Sequence, residues 1–179
     1  MPFLVFSCSL NPKSRSRVLA HGAVTRLEAH GADAEFIDLQ ELPLPLCDGA
    51  TSQRHPHVIE LRRRIVECEG ALIAVPVYNF DVNAAAKNLV ELTGDAWRDK
   101  VVGFLCAAGG QTSFMAVMGL ANSMMLDFRS IIVPRFVYAT EADVVGEQIA
   151  DARTLERLDE VVSTLVRLAR AINPVPQGS

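Results

Sequence analysis

The chain has 179 residues, of which half are hydrophobic, and its formal net charge is −4 at neutral pH. This length predicts one domain with a buried core, and this composition argues against a disordered chain. The mildly negative charge argues against a nucleic-acid-binding protein, which usually has a basic surface. The charge is also smaller than expected for an acidic electron carrier that docks through charge. Because no apolar run approaches the roughly 18 residues that cross a bilayer, we expect no membrane partner.

Short apolar runs alternate with amphipathic stretches along the chain. The apolar runs are typical of strands buried in a sheet, and apolar residues at helical spacing fill the segments between them. In chain order we predict the strand PFLVFS, a helix over 14–30, the strand AEFIDL, a helix over 57–69, the strand GALIAVP, a helix over 83–92, the strand KVVGFLCA, a helix over 113–128, the strand SIIVPRFVYA and a last helix over 155–169.

Five strands in strict alternation with five helices predict an α/β domain. We expect a flavodoxin-like, doubly wound three-layer sandwich with a five-stranded parallel sheet in the order 2-1-3-4-5. Residues 1–172 are assigned to this domain and residues 173–179 to a flexible C-terminal tail. Pro134 interrupts the fifth strand, which therefore belongs at an edge of the sheet. We expect Pro76 to end the third strand and Asn83 to cap the third helix.

The four cysteines are widely spaced and form no CxxC motif. This predicts reduced thiols in a cytoplasmic protein, with Cys8 and Cys106 as small core residues at strand ends. His55 and His57 are close in sequence but have no third ligand near them, so we predict no metal site. The loops on the ligand side carry few groups suited to acid–base work, and no catalytic side chain is predicted.

In a doubly wound sheet, ligands bind beyond the carboxyl ends of the strands, where the strand order reverses. The loop after the first strand, SCSLNPKSRS, contains four serines and leads into a helix. Backbone N–H groups at a helix N-terminus and the hydroxyls of Ser9, Ser14 and Ser16 can donate to a phosphate, and Arg15 can add charge-assisted bonds. The loop lacks the glycines of a diphosphate-binding turn, so we predict a monophosphate site; simple helix capping by serine is the alternative.

Two further loops reach the same edge of the sheet. The loop after the third strand carries Tyr78 and Phe80, and an aromatic side chain there can either cover a planar ring or only pack the loop. The loop after the fourth strand, AAGGQTS, contains Gly109 and Gly110, whose backbone can lie against a flat ligand; a plain turn is the alternative. Together the three loops predict a ligand with a phosphate and a planar ring.

These motifs resemble those of the NADPH-dependent FMN reductase family, and most closely its alkanesulfonate-linked flavin reductases. The shared pattern is a serine-rich loop ending in Ser14-Arg15-Ser16 and a Pro76-Val77-Tyr78 loop followed nine residues later by Lys87. The similarity extends over about residues 3–170 and implies a flavodoxin-like fold with FMN as cofactor and NADPH or NADH as co-substrate. The residues that it implies for the FMN phosphate are Ser9, Ser14, Arg15 and Ser16. Those that it implies beside the isoalloxazine are Pro76, Val77, Tyr78 and Asn79 on one side and Gly109, Gly110 and Gln111 along the other edge.

Two departures from the family pattern bear on this site. Many members have Arg where this chain has Asn11, and we expect Lys13 or Arg15 to compensate for the missing charge. Many members carry Gly or Ser-Tyr-Pro where residues 80–83 read Phe-Asp-Val-Asn, in a region that contacts the flavin or a partner subunit.

The resemblance implies an FMN-dependent NAD(P)H oxidoreductase that passes hydride to FMN and then to a small-molecule acceptor such as a flavin or a quinone. A flavin-dependent monooxygenase is a further implied partner, and a cytoplasmic homodimer or homotetramer is expected. The apolar segment 113–128 is a candidate subunit contact. The alternatives are a flavodoxin-like electron carrier or redox sensor that binds FMN without oxidising NAD(P)H, and a phosphate-binding α/β domain without flavin.

Overall fold

A parallel sheet forms the centre of the structure, a computed structural model that describes residues 1–172. Its strands in chain order are β1 (Phe3–Ser7), β2 (Ala34–Asp38), β3 (Gly70–Tyr78), β4 (Asp81–Val82), β5 (Val101–Ala107), β6 (Ile131–Ile132) and β7 (Val137–Ala139). In space they run β2-β1-β3-β5-β6, with β7 also parallel to β5 and β4 antiparallel to β3. Because β6 and β7 are the two halves of the predicted fifth strand, separated around Pro134 at the sheet edge, the predicted order 2-1-3-4-5 is confirmed.

Helices cover both faces of this sheet. They are α1 (Arg15–Ala29), α2 (Pro56–Glu67), α3 (Ala84–Thr93), α4 (Met118–Phe128) and α5 (Ala152–Ile172). Alternate residues of a strand point to opposite faces. Accordingly, Phe3 and Val5 pack with α1 and α5, whereas Leu4 and Phe6 pack with α2, α3 and α4. The predicted flavodoxin-like three-layer sandwich is therefore confirmed, and a small hairpin of β8 (Val144–Val145) and β9 (Gln148–Ile149) follows β7.

The third strand does not end at Pro76, as the sequence had predicted. β3 continues to Tyr78, and Pro76 keeps its register partner Ala107 in β5. The proline has no N–H to give to the sheet, but its carbonyl oxygen accepts the N–H of Asn83 at 3.2 Å. The strand then turns through two residues into β4, which places a hairpin at the carboxyl edge of the sheet.

The fourth helix begins later than the predicted residue 113. A short 3₁₀-helix (Gln111–Ser113) and further turns come first, with the N–H of Ala116 donating to the carbonyl oxygen of Ser113 at 3.0 Å. The Phe114 ring packs against Phe136, with ring centroids 5.0 Å apart. Tight turns and α-helices can carry the same apolar spacing over a few residues, so the pattern did not separate them.

Three further expectations concern the chain as a whole. Within residues 1–172, no helix is long and apolar enough to cross a membrane. Cys8, Cys68 and Cys106 are buried and Cys47 is half-buried, and all four thiols are free, as predicted. The predicted tail, residues 173–179, lies outside the described residues.

Candidate active site

A cavity of 280 Å³ lies at the carboxyl ends of β1, β3 and β5. The residues that line it are Ser9, Asn11, Lys13, Ser14, Arg15, Ser16, Pro76, Val77, Tyr78, Ala107, Ala108 and Gly109. The cavity thus brings together the serine-rich loop, the end of β3 and the first glycine of the third loop. Asn79, Gly110 and Gln111 were also predicted as site residues but do not line it.

The N-terminus of α1 faces this cavity without a side-chain cap. Ser14 occupies the N-cap position with extended backbone dihedrals, yet its hydroxyl makes no capping bond. Its Oγ instead lies 2.8 Å from the Oγ of the fully buried Ser16. The simple capping alternative is therefore wrong for this serine. The first backbone N–H groups of α1 have no partner within the helix and remain available to an anion.

Two short turns fold the serine-rich loop back on itself. The N–H of Asn11 donates to the Ser9 Oγ at 3.2 Å, and the N–H of Lys13 donates to the Asn11 Oδ1 at 3.0 Å. Side-chain oxygens that accept from a backbone N–H two residues later are typical of such turns. Asn11, which stands where many family members have arginine, therefore shapes the loop, and the positive charge at the cavity comes from its neighbours.

Of the cations near the cavity, Arg15 is positioned to meet an anion. Its side chain is 33% exposed and pairs with the 80% exposed Glu141, at 3.4 Å between Nη1 and Oε2. An exposed pair of this kind is weak and leaves the guanidinium free to reorient. Arg17, in contrast, is turned away and is engaged by the buried Asp38 and by Gln40.

Asn83 ties the serine-rich loop to the end of β3. Its Nδ2 donates to the carbonyl oxygen of Cys8 at 2.7 Å, and its backbone N–H donates to Pro76. Its side chain does not cap α3, so the predicted capping role is wrong although the position next to the helix is right. The Asn83 Oδ1 is buried and has no hydrogen-bond partner among residues 1–172. A buried amide that spans two loops has no signal in the local sequence, and it was missed for that reason.

The β3–β4 hairpin holds an aromatic side chain at the cavity. Tyr78 pairs with Asp81 across a two-residue turn formed by Asn79 and Phe80. Both turn residues have positive φ, 52° for Asn79 and 64° for Phe80. This is the conformation of a type I′ turn, which most often uses Asn-Gly. Tyr78 lines the cavity and remains 53% exposed, which leaves its ring free to cover a planar ligand.

The glycine loop presents open backbone, and its first glycine, Gly109, lines the cavity. A Cβ placed on Gly109 or Gly110 would meet no atom of residues 1–172 within 4 Å. The Tyr138 hydroxyl donates to the carbonyl oxygen of Gly110 at 2.5 Å and anchors the loop. Gln111 belongs to a neighbouring cavity of 330 Å³ with Phe114 and Tyr138. Lys87, the last residue of the family motif, lies on α3 and pairs with Glu91 at 3.1 Å, away from the cavity lining.

The buried thiols near the site remain protonated. Burial, followed by the nearby Asp38 carboxylate, raises the pKa of the Cys8 thiol far above its ordinary value. Burial alone raises the pKa of Cys106 to about 12. A thiol must ionise to act as a nucleophile or to exchange disulfides, so these two cysteines serve as apolar packing.

The donor set fits a monophosphate attached to a planar ring. The paired hydroxyls of Ser14 and Ser16, the open N–H groups of α1 and the Arg15 guanidinium supply hydrogen bonds and positive charge for a phosphate. Tyr78 and the open backbone at Gly109 both line the cavity and suit contact with a flat ring. These are the two chemical parts of FMN, and the residues present fit it.

Known proteins are similar to this chain in sequence and in fold. Residues 1–144 match the family described as NADPH-dependent FMN reductase. The chain is 30% identical over 152 residues to an NADPH:quinone oxidoreductase of Arabidopsis thaliana, a match that covers 79% of this chain and 77% of that protein. It is 31% identical over 140 residues to the NADH-dependent FMN reductase SfnF of Pseudomonas fluorescens, covering 76% of this chain and 74% of SfnF.

Among solved structures, the flavoenzyme NAD(P)H:(acceptor) oxidoreductase FerB from Paracoccus denitrificans is similar, with a TM-score of 0.76 at 20% identity. That match covers 95% of this chain and 97% of FerB, and it supports the fold. The family match extends over well more than half of the chain and agrees with the predicted cofactor and enzyme class. The chain therefore belongs to the NADPH-dependent FMN reductase family and is an FMN-dependent NAD(P)H oxidoreductase.

Proposed function

We propose that the serine-rich loop binds the FMN phosphate and that the isoalloxazine lies between the β3–β4 hairpin and the glycine loop. The observation that carries this proposal is the uncapped N-terminus of α1, where the Ser14 hydroxyl turns to Ser16 and leaves the helix N–H groups open. Arg15 supplies the positive charge, and Tyr78 and Gly109 supply the walls for the ring. Ser9 and Asn11 shape the loop.

The chemistry that FMN supplies when bound is two-electron transfer from a reduced nicotinamide to a second acceptor. The chain contributes position and shielding. The hydroxyls and N–H groups at α1 fix the phosphate, Asn83 holds that loop against β3, and Tyr78 with Val77 limits water on one side of the ring. The half-exposed Tyr78 leaves an approach for a nicotinamide and then for the acceptor.

The second acceptor is proposed to be a small molecule of the flavin or quinone class. The names of the two relatives divide between these acceptors and between NADPH and NADH, so both nicotinamides are candidate co-substrates. We place the protein in the cytoplasm, which its free thiols support, with a flavin-dependent monooxygenase as a partner when free flavin is the product. A homodimer or homotetramer is supported by the exposed apolar side chains of Met118, Met125 and Leu126 on α4.

The test is an FMN titration of the desalted protein, followed by anaerobic addition of NADPH while the flavin absorbance is recorded. We expect FMN to bind and its yellow band to bleach. A band that persists would favour the electron-carrier alternative, because the flavin would then be inaccessible to nicotinamide. Absence of FMN binding would refute the proposal.

Substitutions test the phosphate assignment separately. Ser14→Ala removes a neutral hydrogen-bond donor and should weaken FMN binding about tenfold. Arg15→Ala removes a charged donor and should weaken it about tenfold to hundredfold. Ser163→Ala is the matched control, because this hydroxyl donates to a helix carbonyl of α5, that of Glu160, at 3.1 Å and lies outside the candidate site. Riboflavin, which lacks the phosphate, should bind all variants equally well, and an equal loss for both ligands would contradict the assignment.

A further inference from the structure

A second cavity, of 920 Å³, lies between the N-terminal half of α1 and the β8–β9 hairpin, and most of it has no role in the function proposed above. We call it the α1 cavity. Its volume is in the range of small-molecule sites, about 300–1,000 Å³. Charged side chains, an imidazole and two valines line it, so it can take a ligand that is partly ionic and partly flat and apolar.

The α1 cavity adjoins the candidate active site. Both cavities are lined by Lys13, Ser14 and Arg15, the three residues that lead into α1. The proposed function places the FMN phosphate at these same residues. A group joined to that phosphate therefore has only to pass around this turn to enter the α1 cavity.

The positive charge of the α1 cavity is concentrated at the end next to the active site. Lys13 is exposed there, and Arg15 has only the weak pair with Glu141 described above. Arg17 also lines the cavity, but its charge is balanced by the buried Asp38. A second phosphate beside the first would therefore meet Lys13 and Arg15, through charge-assisted hydrogen bonds.

A ring suited to stacking lies farther along the helix. His21 follows Arg15 by six residues, about 9 Å along the helix axis, which a phosphate and a ribose can span. Its imidazole stacks on Phe36, with ring centroids 4.3 Å apart and an angle of 24° between the planes. Because His21 is exposed, its other face can take a second flat ring. Val18, one turn earlier, and Val144 on the hairpin add apolar contact.

The opposite wall of the α1 cavity is held in place before any ligand binds. A Cβ on Gly22 would lie 2.9 Å from the Cδ1 of Ile149, so the missing side chain lets β9 pack closely on α1. The N–H and the hydroxyl of Thr140 donate to the Asp143 Oδ2 at 2.6 and 2.8 Å, and the Asp143 carbonyl oxygen accepts the N–H of Ala150 at 2.8 Å. A fixed wall lowers the entropic cost of binding.

Two carboxylates on the hairpin side select among phosphate-bearing ligands. Glu141 and Glu147 both line the α1 cavity. A carboxylate accepts hydrogen bonds from ribose hydroxyls, whereas it repels a phosphate at the same position. The cavity therefore suits an adenosine with a free 2′-hydroxyl better than the 2′-phosphorylated adenosine of NADPH.

We infer that the α1 cavity binds the adenylate half of FAD, so that the protein accepts FAD as well as FMN. This inference rests on the proposed function, because FAD is FMN joined through its phosphate to AMP. One phosphate occupies the serine-rich loop and the second lies outside it, beside Lys13, so the loop needs no glycine-rich diphosphate turn. NADH carries the same adenosine, but that adenosine is not attached to the flavin phosphate.

The experiment measures the Kd of FMN and of FAD for the desalted protein by isothermal titration calorimetry. We expect both flavins to bind. His21→Ala should weaken FAD binding about fivefold to tenfold by removing the stacking surface, and should leave FMN binding unchanged. His21→Phe, which keeps a flat ring, should bind FAD within about twofold of the parent chain. The matched control is His30→Ala, since His30 follows the far end of α1 and pairs only with the exposed Asp159.

The two flavins separate this inference from the proposed function. Failure of the parent chain to bind either flavin would refute the proposed function and the inference together. FMN binding without FAD binding, or an equal loss of both flavins in His21→Ala, would overturn the inference alone. So would a His21→Ala variant that binds FAD normally but has a raised KM for NADH, because the α1 cavity would then hold the adenosine of the nicotinamide co-substrate.

Discussion

The turn at Phe80 allows a direct test of the hairpin that positions Tyr78. Phe80 has a φ of 64°, a region in which an L-residue other than glycine is strained by about 1–2 kcal/mol. Its side chain is 67% exposed, so burial of the ring offsets little of this cost. Glycine in place of alanine there should relieve the strain but lose about 0.5–1 kcal/mol of backbone entropy. We therefore expect Phe80→Gly to be more stable than Phe80→Ala by about 0.5–1 kcal/mol.

Phe114 is the matched control for this comparison. It is also half exposed, at 51%, but its φ of −55° is in the right-handed helical region. At this position alanine should be more stable than glycine by about 0.5–1 kcal/mol. Both substitutions at each site remove the aromatic ring, so the loss of ring contacts cancels within each pair. The order of stability of the Gly and Ala variants should therefore reverse between the two sites.

Urea unfolding measures these differences. With a slope of about 2 kcal/mol per molar urea, 1 kcal/mol moves the midpoint by about 0.5 M, which is readily resolved. FMN binding by Phe80→Gly should remain close to that of the parent chain, because the turn and the register of Tyr78 opposite Asp81 are preserved. A Phe80→Ala variant more stable than Phe80→Gly would refute the assigned turn.

Three further predictions concern thiols and a loop carboxylate. Cys47, the half-buried thiol, should react with an aromatic disulfide reagent well before Cys8 and Cys106, and Cys47→Ser should remove the fast phase. Burial raises the pKa of Cys8 and Cys106, so above about pH 8.5 the folded state keeps protons that the unfolded chain releases. The free energy of unfolding should therefore fall by up to about 1.4 kcal/mol per pH unit for each thiol. Cys106→Ala should reduce this slope, which is measured as urea midpoints at rising pH. Hydrogen bonds from the hydroxyl and N–H of Ser52 lower the pKa of the Asp48 carboxyl. Asp48→Asn should therefore lower the urea midpoint at neutral pH. The difference between the two proteins should disappear as the pH falls from about 3.9, the pKa of an unfolded aspartate, through the lower folded-state pKa.

The features that the sequence predicted correctly depend on regular patterns. Strict alternation of apolar runs with amphipathic segments was enough for the strand order, because parallel strands joined by right-handed crossovers leave few arrangements. The break at Pro134 was visible because proline cannot donate to a ladder, and the structure separates β6 from β7 there. The clustering of Ser9, Ser14 and Ser16 at the active-site cavity followed from their position after a buried strand.

What the sequence did not reveal depends on contacts between distant residues. The bond from Asn83 to Cys8 joins residues 75 positions apart, and the bond from Tyr138 to Gly110 joins residues 28 apart. No local pattern encodes such pairs. The β3–β4 hairpin was missed for a different reason, since its turn has phenylalanine at a position where glycine is the usual signal.

Two departures from local structural rules occur at the candidate active site, one at the start of α1 and one in the β3–β4 hairpin. At α1, the Ser14 hydroxyl forgoes a capping bond that typically contributes about 1 kcal/mol. At the hairpin, Phe80 accepts a strained backbone conformation in a largely exposed position. Elsewhere in the sheet and its covering helices, buried apolar residues follow the expected periodicity. Local costs at a candidate site are expected when the residues that carry them are kept for binding. Under the proposed function, a phosphate supplies the acceptor that the uncapped helix lacks, so FMN should stabilise the folded chain. Arg15→Ala should then reduce that stabilisation more than it affects the stability of the apo-protein.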